Sequence, residues 1–272
     1  MKTARKKSPS RWENPVKAAL RRGHSVIGAT ITINNVEAAA QMAALGFDFL
    51  WIETEHAPVS LETVRQVVLA TRGLPAVPFA RVPVNALWTA KRVLDAGVLG
   101  VMFPFTSDPD LARQAVAACH YPPAGRRGSG AGLAQFRWPA PGGYYDFADE
   151  NVMVIAIVED ADGLGQVEEI AATSGVDVIF IGTSDLSFSL GLRGDQSHPR
   201  LLEAVDRIVA AGRRHGKVLG RPAGGPEDVR RFEEGGFRFF QAKTELDFMV
   251  TGAAAFLDPL SRRCPPASEL AI

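Results

Sequence analysis

The chain has 272 residues, 46% of them hydrophobic, which is enough for one large domain or two small ones. Its 30 Lys+Arg balance 30 Asp+Glu, so no long-range field draws in nucleic acid or an anionic membrane, and any charged site must be local. No apolar run reaches the roughly 18 residues of a membrane helix, and the two distant cysteines, Cys119 and Cys264, form neither a disulfide framework nor a zinc pattern, so a reducing cytoplasm is expected.

Residues 1–22 are read as a flexible tail. They are basic at Lys2, Arg5, Lys6, Lys7 and Arg11 but lack the apolar stretch of a secretory signal. Two textures then alternate. Short runs rich in Val, Ile and Phe predict buried strands at Ser25–Ile33, Phe47–Glu53, Ala76–Val82, Val98–Pro104, Val152–Glu159, Asp177–Ile181, Lys217–Gly220 and Phe237–Ala242. Apolar spacing of three to four predicts helices at Val36–Leu45, Leu61–Arg72, Ala86–Ala96, Pro109–His120, Gly165–Thr173, Pro199–His215, Pro226–Glu234 and Thr244–Leu257. Ser60 is placed to cap the second of these, and Gly46, Gly73, Gly97, Gly175, Gly216 and Gly236 stand where helices should stop. Eight strand–helix units predict an α/β fold, a single-domain (β/α)8 TIM barrel over residues 23–257. An open doubly wound sheet is the competitor, but its glycine fingerprint after the first strand is absent. Tyr121–Asn151, rich in Gly, Pro and aromatics, is expected to be a long loop, and 258–272 a C-terminal tail.

Barrel chemistry lies at the C-terminal ends of the strands. The second strand leads into Glu53-Thr54-Glu55-His56, where His56 is either a general base or an exposed surface histidine. Arg81 ends the third strand, where a buried cation needs an anion, either a substrate carboxylate or enolate, or an acid such as Glu53 or Glu55. Glu159 and Asp185 top adjacent strands. Two neighbouring carboxylates repel, so a divalent cation such as Mg²⁺ or Mn²⁺ between them is expected, unless each merely opens a helix. The Gly182-Thr183-Ser184-Asp185 turn offers successive N–H groups to a substrate carboxylate. Asp95 opposes the dipole at its helix end and wants a partner, or is simply exposed. Lys243, past the eighth strand, would serve a metal-free Schiff-base lyase.

Five stretches in order carry a further signal: Glu55-His56-Ala57-Pro58, Arg81-Val82-Pro83-Val84-Asn85, Lys91 to Gly97, Tyr121 to Gly128 and Phe180 to Ser187. On these the chain resembles the class II, metal-dependent HpcH/HpaI aldolase family. The resemblance implies a lyase that reversibly cleaves 4-hydroxy-2-oxo acids to pyruvate and an aldehyde through a pyruvate enolate. It implies that Glu159 and Asp185 hold Mg²⁺, Mn²⁺ or Co²⁺, that Arg81 holds the pyruvyl oxygens, and that His56 and Asp95 form a catalytic dyad. It also implies a homo-oligomer, a hexamer or trimer of dimers, with the C-terminal helix packed on a partner. An enolate-type isomerase or phosphotransfer enzyme, with Gly220–Gly225 as its only phosphate loop, and a non-catalytic pyruvate-binding paralogue are the alternatives.

Overall fold

The computed structural model describes residues 12–138 and 140–262. Eight parallel strands close into a barrel in sequence order: β1 (Val26–Ile31), β2 (Phe49–Glu53), β3 (Val77–Arg81), β4 (Gly100–Phe103), β5 (Met153–Val158), β6 (Val178–Ile181), β7 (Val218–Pro222) and β8 (Phe239–Thr244), with β8 pairing back to β1. Every residue of β2, β4, β5 and β6 is buried, because the helices cover the outer face and side chains fill the inner one. This is the expected (β/α)8 architecture.

The first helices are α1 (Pro15–Arg21), α2 (Val36–Ala44), α3 (Leu61–Ala70), α4 (Leu87–Ala96) and α5 (Pro109–Cys119). Two short ones follow, α6 (Gly132–Arg137) and α7 (Tyr144–Asn151), and then α8 (Ala161–Gly165), α9 (Val167–Ala172) and α10 (Thr183–Ser189). The last are α11 (Pro199–Arg214), α12 (Pro226–Glu234) and α13 (Glu245–Leu257). Ser60 caps α3, its side chain accepting from Thr63 N. All six glycines expected to end helices have positive φ, between 63° and 107°. At Gly97 the requirement is also steric, since a Cβ would lie 3.1 Å from Val68.

Inside the barrel, missing side chains make room for aromatic ones. A Cβ on Gly28 would fall 2.1 Å from the Phe49 ring, and one on Gly100 2.2 Å from Phe79. Phe49 stacks on Phe239 at 4.5 Å and on Phe79 at 5.1 Å, so glycine in one strand seats a ring from the next.

Three expectations are corrected. The tail does not extend to residue 22: α1 begins at Pro15 and buries Val16, Ala18 and Leu20. Fully buried Asn14 ties it down, its N–H donating to Asn151 Oδ1 at 2.6 Å and its amide to Asn151 O at 2.9 Å. Residues 1–11 and 263–272, with Cys264, lie outside the described residues. The 121–151 stretch is not all loop, because α6 and α7 bury Ala134, Tyr144, Phe147 and Ala148. The helix expected to start at Gly165 starts at Val167 as α9, and α8, which was not expected, precedes it across Gln166.

Candidate active site

Four strand ends bring the charged residues together. Glu53 and Arg81 are register partners on β2 and β3 and share a face. Glu53 Oε2 accepts from Arg81 Nε at 2.7 Å and lies 2.6 Å from Nη2, so one edge of the guanidinium closes on a single oxygen between side chains 3% and 13% exposed. Its other oxygen, Oε1, accepts from the backbone N–H groups of Glu55 (2.7 Å) and His56 (3.0 Å). One buried acid thus fixes both the arginine and the loop that carries His56. Of the two anions expected for Arg81, the structure places the internal acids. Glu53 orients the guanidinium, and Glu55 Oε2 stands 3.1 Å from Nη1. That contact is an ion pair without hydrogen-bond alignment, so the buried Glu55 Oε2 has no hydrogen-bond partner. His56, 59% exposed, points its Nε2 to within 3.8 Å of the same oxygen.

Glu159 follows β5 and is buried. Its Oε1 accepts from Phe105 N at 2.7 Å. Phe105 has φ of 45°, left-handed backbone that a large side chain adopts only when its surroundings impose it. Here the turn after β4 aims an N–H at the carboxylate. Burial drives the Glu159 carboxyl up to about 8, with Glu55 and Asp185 adding to the rise while the Phe105 N–H and Arg81 oppose it. Glu55 is also raised, chiefly by burial, against the pull of Arg81 and His56 and with a push from Glu53 and Asp185. Glu55, Glu159 and Asp185 therefore sense one another across the barrel mouth.

Gly182 makes this approach possible. A Cβ there would lie 2.5 Å from Glu159 Oε2 and 2.6 Å from its Cβ. Thr183, Ser184 and Asp185 open α10, where first-turn N–H groups have no intrahelical acceptor. Gly182→Ala should therefore displace Glu159. We expect a loss of at least about tenfold in kcat/KM with the fold retained, read by steady-state kinetics beside circular dichroism.

A two-carboxylate cation site fits these residues. Glu55 Oε2 lacks a hydrogen-bond donor, and the buried Glu159, held by Phe105 N, forms no ion pair among the described residues and has its carboxyl raised by burial and by the charges of Glu55 and Asp185. Among the described residues no group of three or more His, Cys, Asp or Glu is placed to hold a metal ion, so two carboxylates are the most that these side chains would supply.

Asp95 lies elsewhere. It sits near the C-terminus of α4, toward the opposite end of the barrel, with Oδ1 3.4 Å from Nη2 of the buried Arg127. Burial raises its carboxyl against the pull of Arg127 and Lys91. No contact with His56 exists among the described residues of one chain. Lys243 is exposed and lines a cleft with Pro226, Val229 and Phe248 that contains no carboxylate. Gly220 packs on Phe180, and the Gly224 N–H donates to Asp228 Oδ2 at 2.9 Å, so this segment is not an open phosphate loop. Reading residues singly leaves Glu53 as one of several possible partners for Arg81 and misses Phe105 altogether. Glu53 is recoverable from strand pairing, whereas Phe105 acts through a backbone N–H that no residue type announces.

A family model described as HpcH/HpaI aldolase/citrate lyase matches residues 30–250. The 5-keto-4-deoxy-D-glucarate aldolases of Klebsiella pneumoniae and Escherichia coli are each 34% identical over 251 residues, 92% of this chain and 98% of theirs. A solved HpcH/HpaI aldolase/citrate lyase family protein from Burkholderia cenocepacia superposes with a TM-score of 0.84 at 34% identity, covering 92% of this chain and all of that one. No described helix is long and apolar enough to cross a membrane. The matched span runs from the first strand into the last helix and so takes in the whole barrel: the chain belongs to the HpcH/HpaI aldolase/citrate lyase family and is a carbon–carbon lyase of the aldolase type.

Proposed function

We propose that the barrel mouth is a divalent-cation-dependent aldolase site that cleaves 4-hydroxy-2-oxo acids to pyruvate and an aldehyde, with sugar-acid substrates like those named for its relatives. The observation that carries this reading is the buried Glu159, which forms no ion pair among the described residues and whose carboxyl is raised to about 8 by burial and by the charges of Glu55 and Asp185, against Phe105 N–H and Arg81. Glu159 and Asp185 would hold Mg²⁺, Mn²⁺ or Co²⁺. When bound, the cation supplies Lewis-acid polarisation of the 2-oxo group.

The other roles belong to the chain. The N–H groups of Thr183, Ser184 and Asp185 receive the substrate carboxylate at the start of α10, whereas the Gly182 N–H expected to join them donates to Val158 O at 3.2 Å. Arg81, clamped by Glu53, donates to the 2-oxo oxygen, where charge develops. His56 Nε2 takes the proton of the C4 hydroxyl. The C3–C4 bond then breaks, its electron pair moves into the enolate, and the aldehyde leaves. Return of a proton to C3 gives pyruvate. Asp95 can orient His56 only from another subunit, because within one chain it is engaged by Arg127. α13 supports such an assembly: Leu246, Met249, Val250 and Phe256 are 41% to 74% exposed, an apolar face suited to a second copy in a hexamer or trimer of dimers. A buried free thiol at Cys119 suits the cytoplasm.

Chelation tests the reading. After EDTA treatment and desalting, retro-aldol release of pyruvate from 5-keto-4-deoxy-D-glucarate should fall to background, and Mg²⁺, Mn²⁺ or Co²⁺ should restore it. Full turnover in excess EDTA would refute the metal role. Borohydride with pyruvate should trap no adduct at Lys243.

A further inference from the structure

The other end of the barrel holds a second built site. A cleft of about 530 Å³ opens beneath the start of β3, within the size range of small-molecule pockets. Its walls are aromatic. Trp12, Trp138 and Phe147 pack together, with ring centres 4.9 Å apart for the two indoles and 5.5 Å for Trp12 and Phe147. Its charge is all of one sign, for Arg72 and Arg137 line it and no acid does.

Arg137 is 5% exposed, yet no carboxylate meets it. Its Nε donates to Val68 O at 2.9 Å and Nη2 to Thr71 O at 3.2 Å, which ties it to the end of α3, and it stacks over Trp138 at 3.9 Å. Burial and the neighbouring Arg72 pull this guanidinium down to about 10, the mark of a cation held near a second cation without an anion. Arg72 stacks over Phe136 at 4.9 Å and forms no ion pair among the described residues. Glu13 and Glu150 line a neighbouring cleft that shares Trp12.

We infer that this cleft is a ligand site separate from the barrel mouth, taking a small anion with a planar apolar body, an aromatic carboxylate, its ring against Trp12 and Trp138 and its carboxylate between Arg72 and Arg137. Arginine suits this task because its planar cation both stacks and accepts a carboxylate in a fork. The cleft and the catalytic arginine stand at the two ends of one strand, Val77 in the cleft wall and Arg81 at the mouth, roughly 13 Å apart along β3.

The test is calorimetric titration of the full-length protein with 1-naphthoate, with saturating Mg²⁺ and pyruvate present to occupy the mouth. Saturable binding at a single site per chain is expected. The neutral isostere 1-naphthalenemethanol should bind at least about tenfold more weakly. Arg72→Glu, on an exposed side chain, should weaken 1-naphthoate by a similar factor, and Leu74→Trp, which fills the cleft, should abolish binding while kcat/KM for aldol cleavage stays unchanged. Equal affinity for the neutral isostere, unaltered binding in both variants, or no saturable binding would overturn the inference.

Discussion

Glu159→Gln should lower aldol turnover by at least about a thousandfold and yet make the metal-free protein more stable above neutral pH. The two effects have one cause. The glutamine oxygen can still accept the Phe105 N–H, so the local fold survives, but the negative charge that a cation needs is gone. The stability effect follows from the direction of the shift. A buried carboxyl raised from 4.5 to about 8 binds its proton more tightly folded than unfolded. The stability this contributes is complete below the unfolded value and is lost as pH rises through about 8. Metal-free wild type should therefore weaken across that window, and Glu159→Gln should not. Mg²⁺ should restore the wild type above pH 8 and leave the variant unmoved, because a cation competes with the proton for the same oxygens. Urea unfolding at pH 5 and pH 9, with and without Mg²⁺, reads all four states. A wild-type curve indifferent to pH and to Mg²⁺ would mean that the acid is already compensated by the protein.

Gly28→Val should cost at least about 3 kcal/mol of folding stability, among the largest single-site effects in the barrel. The new side chain would start 2.1 Å from the Phe49 ring, and that ring cannot retreat because it is stacked between Phe239 and Phe79. Overpacking at one strand would thus be transmitted to β2, β3 and β8. The double variant Gly28→Val/Phe49→Ala should recover part of the loss by giving the valine room, so the two changes should be strongly non-additive in urea midpoints. Simple additivity would show that the clash is relieved by backbone movement instead.

Glu159 was legible in the sequence, whereas the tight seat that Gly28 gives the Phe49 ring was not. Strands of a closed parallel barrel are buried on both faces, so they read as unbroken apolar runs such as Met153–Val158, and the glycines that end helices punctuate them visibly. Glu159 and Asp185 could be named because barrel chemistry gathers past the strand ends, and Glu159 follows β5 while Asp185 opens α10 after β6. Less legible was anything that depends on neighbours across the sheet. Glu53 became the organiser of the site only through its register with Arg81, and Phe105 through a left-handed turn. α1 was hidden because its seven residues are too few to show a period amid basic ones, and it is held by Asn14 and Asn151, 137 positions apart. The proposed pairing of Asp95 with His56 has no expression in a single chain at all, since Arg127 takes the carboxylate there.

Everything assigned to the barrel mouth depends on two acids, just past β5 and at the start of α10, sharing one ion. Titration of metal-free protein with Mn²⁺, followed by electron paramagnetic resonance, addresses this directly. One tightly held Mn²⁺ per chain is predicted, its spectrum altered by pyruvate, with the tight phase missing from both Glu159→Gln and Asp185→Asn. Stoichiometric Mn²⁺ binding that persists in both variants, or its absence from the wild type, would contradict the account.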